Sequence, residues 1–264
     1  NIIDANPIET LKKLEALNEK YEIEDFLVES TPFYYFLVGK SLLELKKWRK
    51  AKKYLADAAN LIDQVEGWEN SNIKSACYNE LSLISYYESK LHKALAYTDK
   101  GLKSFIHDGQ RKHVRYVLLL NQAIYMEKLD RHEEAYQTLQ ILYKEKEDFQ
   151  SILRLTIQMY ERFAAVLNNL NMPKQALEYA EKGIEIAINN KYFDRLFSLW
   201  TTVGRIYFDL ERYEEAERYF TVALAIKNKV KRKNLLAICH IYLGNLHIET
   251  QDFELAEKHL KKAI

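Results

Sequence analysis

Apolar side chains recur every three or four residues along most of the chain, which is the spacing that puts them on one face of an α-helix. The stretch 206–224 shows the pattern clearly, with apolar residues at Ile206, Tyr207, Phe208, Leu210, Tyr213, Ala216, Tyr219, Phe220, Ala223 and Leu224. The pattern therefore predicts an all-α fold.

An alanine that follows a polar turn recurs six times and defines an internal repeat. These repeat alanines are Ala51, Ala94, Ala135, Ala176, Ala216 and Ala256, spaced by 43, 41, 41, 40 and 40 residues. Twelve residues before each stands a small residue: Gly39, Ser82, Ala123, Ala164, Gly204 or Gly244. Seven residues after it stands another, except for Leu142: Ala58, Gly101, Gly183, Ala223 or Ala263. We expect each repeat to be an antiparallel helix pair in which a small residue on one helix faces a small residue on the other.

The repeats resemble the tetratricopeptide repeat. The fifth copy carries the family's bulky and small positions at Trp200, Gly204, Tyr207, Ala216, Phe220 and Ala223. The resemblance implies a right-handed superhelical solenoid of about six helix pairs over residues 31–264. Its period of 40–43 residues exceeds the usual period of about 34, so we expect longer helices or longer joints between repeats. Residues 1–30 are expected to form an N-terminal helix, the remnant of a preceding repeat or a linker.

Composition and charge exclude other classes of protein. The chain has only 7 Gly and 3 Pro among 264 residues, too few for the turns of sandwiches or propellers. Its 39 basic and 38 acidic residues give a net charge of +1, which argues against a partner that is bound mainly through charge. We find no apolar run long enough to span a membrane and no signal peptide. Cys77 and Cys239 lie far apart without a CxxC motif, which favours free thiols in a reducing cytoplasm. Because the chain lacks an initial Met, we expect a piece of a longer protein with an upstream effector domain outside it.

Catalytic and metal-binding motifs are missing from the sequence. There is no HExxH, no GxxxxGK[ST] and no GxGxxG. His240 and His247 lie two helical turns apart and could ligate a metal, but both occupy packing positions of the repeat. Cys77 and Cys239 occupy equivalent positions of the second and sixth repeats and are expected to be inert packing residues. We therefore predict neither an enzyme, a cofactor nor a metal site.

Two basic runs, residues 46–53 and 227–233, are open to two interpretations. The second run holds five Lys or Arg among seven residues. Such clusters can bind phosphate or an acidic partner. Both runs also fall at turns or joints, where charged side chains are usually solvated, and we favour that interpretation.

In the tetratricopeptide family the first helices of the repeats line a concave face that recognises peptides. An Asn amide offers one donor and one acceptor to a peptide backbone, and an Arg can hold a carboxylate with two hydrogen bonds. The carboxylate clamp of chaperone-binding repeats is set aside, because Glu80 would repel the carboxylate. On the family register, the predicted peptide contacts are Asn79, Tyr86, Asn121, Glu127, Arg162, Asn168, Arg205 and Asn245.

The long period, the Tyr- and Lys-rich helices and the segment Leu120-Asn121-Gln122-Ala123 look like the cytoplasmic quorum-sensing receptors of Gram-positive bacteria, the Rap, NprR, PlcR and PrgX group. The resemblance is closest in style to NprR. It implies a short signalling peptide as ligand, a homo-oligomer, and DNA binding only through an N-terminal domain outside this chain. It implies control of transcription or of sporulation. The alternative is a protein–protein scaffold or Rap-type regulator that acts on a response regulator of the sporulation phosphorelay.

Overall fold

The computed structural model describes residues 6–23 and 28–264, and in these ranges the chain is helical without any β-strand. No helix there is both long enough and apolar enough to cross a membrane. The α-helices are α1 (Pro7–Tyr21), α2 (Thr31–Glu44), α3 (Trp48–Leu61), α4 (Ile73–Tyr87), α5 (Leu91–Lys103), α6 (His113–Lys128), α7 (His132–Lys144), α8 (Leu153–Asn169), α9 (Pro173–Asn189), α10 (Phe193–Asp209), α11 (Tyr213–Ala225), α12 (Lys233–Glu249) and α13 (Phe253–Ala263). The predicted all-α fold is confirmed.

The chain forms two compact units, Asn1–Arg131 and His132–Ile264. In the first unit α2 pairs with α3 and α4 with α5, α6 packs beside α4 and α5, and α1 packs against α2. In the second unit the pairs are α8 with α9, α10 with α11 and α12 with α13, while α7 packs against α8. Neighbouring pairs within a unit also touch, so each unit buries its apolar faces by stacking helix pairs.

The repeat alanines mark the beginning of the second helices. Each of the six second helices starts three residues before its alanine, at Trp48, Leu91, His132, Pro173, Tyr213 or Phe253. All six alanines are buried. The predicted register of the repeat is therefore the register of the helices.

The glycines of the first helices lie under a bulky side chain of the second helix. A Cβ atom added to Gly204 would stand 2.5 Å from a ring carbon of Phe220, and one added to Gly39 would stand 2.7 Å from Leu55 Cγ. Gly244 is covered in the same way by Leu260. The expectation that a small residue would face these glycines is wrong. The missing side chain makes room for the large residue four positions after the repeat alanine.

The glycines near the ends of the second helices serve the next helix pair instead. A Cβ atom on Gly101 would lie 2.8 Å from Leu118 of α6, and one on Gly183 would lie 3.1 Å from Leu199 of α10. The two small positions of the repeat therefore have separate roles. One allows close contact within a pair, and the other allows close contact between successive pairs.

The turn within each repeat is closed by a residue in the left-handed conformation. These residues lie five positions before each repeat alanine, have φ between 57° and 61°, and are Lys46, Ser89, Asp130, Asn171, Glu211 and Gln251. In the fifth repeat the Arg212 N–H donates to the Tyr207 carbonyl and the Glu211 N–H to the Phe208 carbonyl, each at 2.9 Å. The same two bonds recur in the other five turns, so all six first helices end in a Schellman motif.

The repeats are longer than the usual period of about 34 residues, and they differ in where the additional residues lie. In the first repeat both helices have 14 residues, and a long joint over residues 62–72 follows. In the fourth repeat both helices have 17 residues, and the joint is only residues 190–192. The expectation of longer helices or longer joints therefore holds in both of its forms.

We predict that Glu211→Gly stabilises the protein by about 1 kcal/mol, because glycine adopts the left-handed conformation without the clash of a Cβ atom. Urea unfolding of the whole chain measures the change. Asn171→Gly is the matched control at the equivalent turn, and its gain should be smaller because Asn tolerates this conformation. A loss of stability in the Glu211 variant would contradict the analysis.

Candidate functional site

In the first unit, the predicted contacts Asn79 and Asn121 form a pair between α4 and α6. The Asn121 Nδ2 atom donates to Asn79 Oδ1 at 2.9 Å, and Asn79 Nδ2 donates to Glu80 Oε1 at 3.3 Å. Asn79 is buried, whereas Asn121 is half-buried. In the part of the chain that the structure describes, Asn121 Oδ1 accepts no hydrogen bond. Asn79 is thus placed to orient Asn121, whose acceptor is left for another group.

Tyr86 belongs to an aromatic cluster beside this pair. Its ring stacks on that of Tyr125, with centroids 5.4 Å apart, and the Tyr125 hydroxyl lies 3.2 Å from Ser82 Oγ. Burial raises the pKa of Tyr125, so its hydroxyl stays protonated and can donate. Tyr86 itself is half-buried, as is Glu127 further along α6. The cluster gives this surface an apolar part next to the amides.

In the second unit, a buried carboxylate organises the predicted contact Arg162. Glu161 on α8 is 3 % exposed, although Glu is rarely buried without partners. Its oxygens accept from Arg162 at 2.8 Å and, across from α10, from Arg195 at 3.2 Å and the Ser198 hydroxyl at 2.6 Å. We call these four residues the Glu161 network. It joins α8 to α10 and fixes the side chain of Arg162 on its helix.

Glu161 is ionised despite its burial. Burial raises the pKa of this carboxyl, but Arg162, Arg195 and the hydrogen bond from Ser198 lower it by more, so the net pKa lies below the ordinary value. Burial also lowers the pKa of the Arg195 guanidinium, and the charge of Glu161 opposes that change. The network therefore holds charged groups that stabilise one another in a poorly solvated place.

Two further predicted contacts lie on the same pair of helices. The Arg205 NH2 group donates to the Ala165 carbonyl at 3.2 Å, but its buried Nε has no hydrogen-bond partner among the described residues. Asn168 is buried and donates through Nδ2 to the Asp209 carboxylate. A buried N–H without a partner is costly. The Nη1 atom of Arg205 also has no hydrogen bond to a described residue and, unlike Nε, is not fully buried, so it is the donor that a bound ligand could reach.

The structure brings together some of the predicted contacts and separates another. Asn79 meets Asn121 in the first unit, and Arg162, Asn168 and Arg205 share the α8–α10 face in the second unit. Asn245, by contrast, is exposed on α12, and no hydrogen bond of its side chain to a described residue is seen.

Arg195 and Ser198 were not among the predicted site residues. The available signal was a single carboxylate, Glu161, among the mostly apolar buried residues of α8. A charge at such a position requires a partner of opposite charge on a neighbouring helix. The separations of 34 and 37 residues do not match the repeat, so the period could not identify that partner.

The histidines and cysteines offer no site for metal or covalent chemistry. His247 is buried, and its ring lies near His259, which in turn has Nδ1 at 3.1 Å from His240 Nδ1. Nowhere in residues 6–23 and 28–264 do three His, Cys, Asp or Glu residues form a group that could hold a metal ion. Cys77 and Cys239 are both buried, and burial raises the pKa of Cys239 to about 12, so its thiol is a poor nucleophile.

Comparison with known proteins supports the fold. The model of the tetratricopeptide repeat family matches residues 195–264, which is about a quarter of the chain. No curated protein matches the sequence. Among solved structures, a Rap protein complexed with competence and sporulation factor has a TM-score of 0.71 at 14% identity, covering 99% of this chain and 76% of that one. NprR in complex with its cognate peptide NprX has a TM-score of 0.70 at 16% identity, with the same coverage.

A structure of another kind matches equally well. The anaphase-promoting complex assembly Cut9–Hcn1 has a TM-score of 0.70 at 13% identity, covering 98% of this chain but only 43% of that one. At such low identities these likenesses establish a fold of tetratricopeptide repeats and do not select one function. No family of enzymes is indicated.

We predict that Glu161→Gln lowers the free energy of unfolding by about 3 kcal/mol, because it removes the charged partner of Arg195, whose side chain is only 12% exposed. Urea unfolding measures the loss. Glu181→Gln, at an exposed position of α9, is the control and should change stability by less than about 0.5 kcal/mol. A loss below about 1 kcal/mol in the Glu161 variant would show that the network adds little.

The same carboxylate should make stability depend on acidity. A depressed pKa in the folded protein stabilises it above the ordinary carboxyl pKa of about 4.3, and this contribution is lost as the pH falls toward the folded pKa. The difference in unfolding free energy between the wild type and Glu161→Gln should therefore be constant from pH 6 to 8 and shrink below about pH 4.3. A difference that stays constant into acid would contradict the assignment.

Proposed function

We propose that this chain is the peptide-sensing regulatory domain of a cytoplasmic quorum-sensing receptor. It binds a short signalling peptide on the concave face expected of its first helices, and binding switches transcriptional regulation, sporulation control or both. The observation that carries the proposal is that first helices in both units present hydrogen-bonding groups that the described residues leave unsatisfied. These groups are Asn121 Oδ1 and Arg205 Nη1.

The chemistry of these groups suits a peptide. Asn121 presents an acceptor to a backbone N–H, and Asn79 holds its amide in one orientation, which reduces the entropy lost on binding. Arg205 presents a donor to a backbone carbonyl or a carboxylate. Tyr86 adds a ring face for an apolar side chain. Arg162 is already turned by Glu161, so it acts from a fixed position.

Signalling follows if the peptide binds one arrangement of the receptor better than another. The peptide can shift an equilibrium only by its difference in affinity for the two states. We propose that these states differ in self-association, with the chain forming a homo-oligomer that depends on peptide. DNA would be contacted only by an N-terminal effector domain, and a response regulator is the protein partner if the output is of the Rap type.

We predict that the purified chain binds one member of a panel of synthetic heptapeptides from secreted precursors, and that Asn121→Ala and Arg205→Ala each weaken binding about tenfold. Each substitution removes one proposed hydrogen bond to the peptide. In Arg205→Ala the lost donor is a charged guanidinium group. Isothermal titration calorimetry measures the affinities. Sedimentation of the same samples reports whether the oligomeric state changes with peptide.

Asn60→Ala on α3 and Arg218→Ala on α11 are matched controls, because they remove the same groups from exposed positions on second helices. Both should leave the affinity unchanged. If the two site variants bind the peptide as tightly as the wild type does, the site assignment fails. If no peptide binds but a purified phosphorylated response regulator does, the alternative regulator function is favoured.

A further inference from the structure

A strongly basic pocket of about 370 Å³ lies in the second unit, away from the predicted peptide contacts. Six of its nine lining residues are Lys or Arg and one is Asp, in a chain whose net charge is only +1. We call it the basic pocket, and its lining residues are Arg154, Lys191, Tyr192, Phe193, Asp194, Arg195, Lys229, Lys231 and Arg232. It contains much of the second basic run of the sequence, which is therefore folded around a cavity and is not simply spread over the surface.

The pocket is built where three first helices begin. Arg154 lies in the first turn of α8, Phe193 to Arg195 form the first turn of α10, and Arg232 directly precedes α12. The first N–H groups of a helix have no partner within it, and the helix dipole places a partial positive charge there. Three helix starts beside one cavity therefore add to the charge of the side chains.

Two acidic residues shape the pocket without neutralising it. Asp194 Oδ1 accepts from the Lys231 backbone N–H at 2.7 Å, and Asp194 Oδ2 lies 3.6 Å from Arg232 Nε. Arg195 is held at 3.2 Å by Glu161, which anchors one wall. The carboxylates thus fix the joint before α12 and the start of α10 against each other.

Four cations remain after these pairings. In the second unit as the structure describes it, the side chains of Arg154, Lys191 and Lys231 form no ion pair, and Lys229 Nζ lies 4.7 Å above the Phe193 ring. An anion that carries several charges in a small volume could pair with several of these cations at once. A single carboxylate, as in a peptide terminus, supplies one charge and would leave most of them uncompensated.

We infer that the basic pocket binds a polyphosphate group, carried either by a nucleotide or by free inorganic polyphosphate. Tetrahedral phosphoryl oxygens accept from helix N-termini, from paired Arg donors and from Lys at the same time. The cavity lies within the volume range of small-molecule sites, which is roughly 300–1,000 Å³. The site uses none of the eight predicted peptide contacts, so it does not depend on the proposed function.

Calorimetric titration of the whole chain with sodium tripolyphosphate at 0.15 M salt tests the inference. We expect binding that weakens as salt rises, and Arg154→Gln and Lys191→Gln should each lower the affinity about tenfold by removing one charge-assisted bond. Both residues are exposed and outside the Glu161 network, so the variants keep the fold. Lys103→Gln is the control, because Lys103 lines a cavity of about 590 Å³ in the first unit whose charges are balanced by acidic residues.

A parallel titration with ATP separates the two sources of the ligand. ATP that binds at least ten times more tightly than tripolyphosphate assigns a nucleotide, and equal affinities assign a free polyphosphate. The inference fails if tripolyphosphate does not bind at millimolar concentration, or if the control variant loses as much affinity as the two pocket variants. It also fails if a hexaglutamate peptide binds more tightly than tripolyphosphate, since that result would assign an acidic protein segment.

Discussion

The repeats depend on how closely one helix of a pair approaches the other. Where Gly204 meets Phe220 and Gly39 meets Leu55, the absence of one side chain lets a large one sit directly on the backbone of the facing helix. This contact fixes the rotation and register of both helices at once. The other side chains of the two helices are positioned relative to this contact. Within a pair, it also decides which side of the first helix is covered by the second helix.

Much of the architecture could be predicted from the sequence, because small residues at fixed distances leave a strong periodic signal. The starts of all six second helices follow from the repeat alanines. The side chain that packs on each glycine could not be predicted, because the spacing shows where a small residue leaves room but not which side chain fills it. The left-handed turns also escaped prediction, because Lys46 or Glu211 at such a position carries none of the signal that a glycine would. For the candidate site, the register proposed Asn121 and Arg162 but gave no sign of Arg195, whose bond to Glu161 joins two helices at a spacing outside the period.

The two units hold their polar residues by different means. In the first unit, the amide of Asn121 is oriented by the amide of Asn79, which in turn donates to the Glu80 carboxylate. In the second unit, an ionised carboxylate and two guanidinium groups share a buried position. Replacing a whole buried ion pair by apolar residues often changes stability little, but removing one of its partners is strongly destabilising. Arg195 belongs both to this network and to the wall of the basic pocket. A change in the network and an anion bound in the pocket would therefore act on the same guanidinium group.

The six left-handed turns are closed by backbone hydrogen bonds, so the type of side chain at each left-handed residue is not what closes the turn. Residues as unlike as Lys46, Asp130 and Gln251 occupy it. The chain has only two cysteines, and both are buried. A cysteine placed at one of these turns would thus be the one readily labelled thiol. Fluorophores or spin labels attached at these turns would give one probe per repeat, with which movements of the helix pairs within a unit could be measured without altering the proposed peptide contacts.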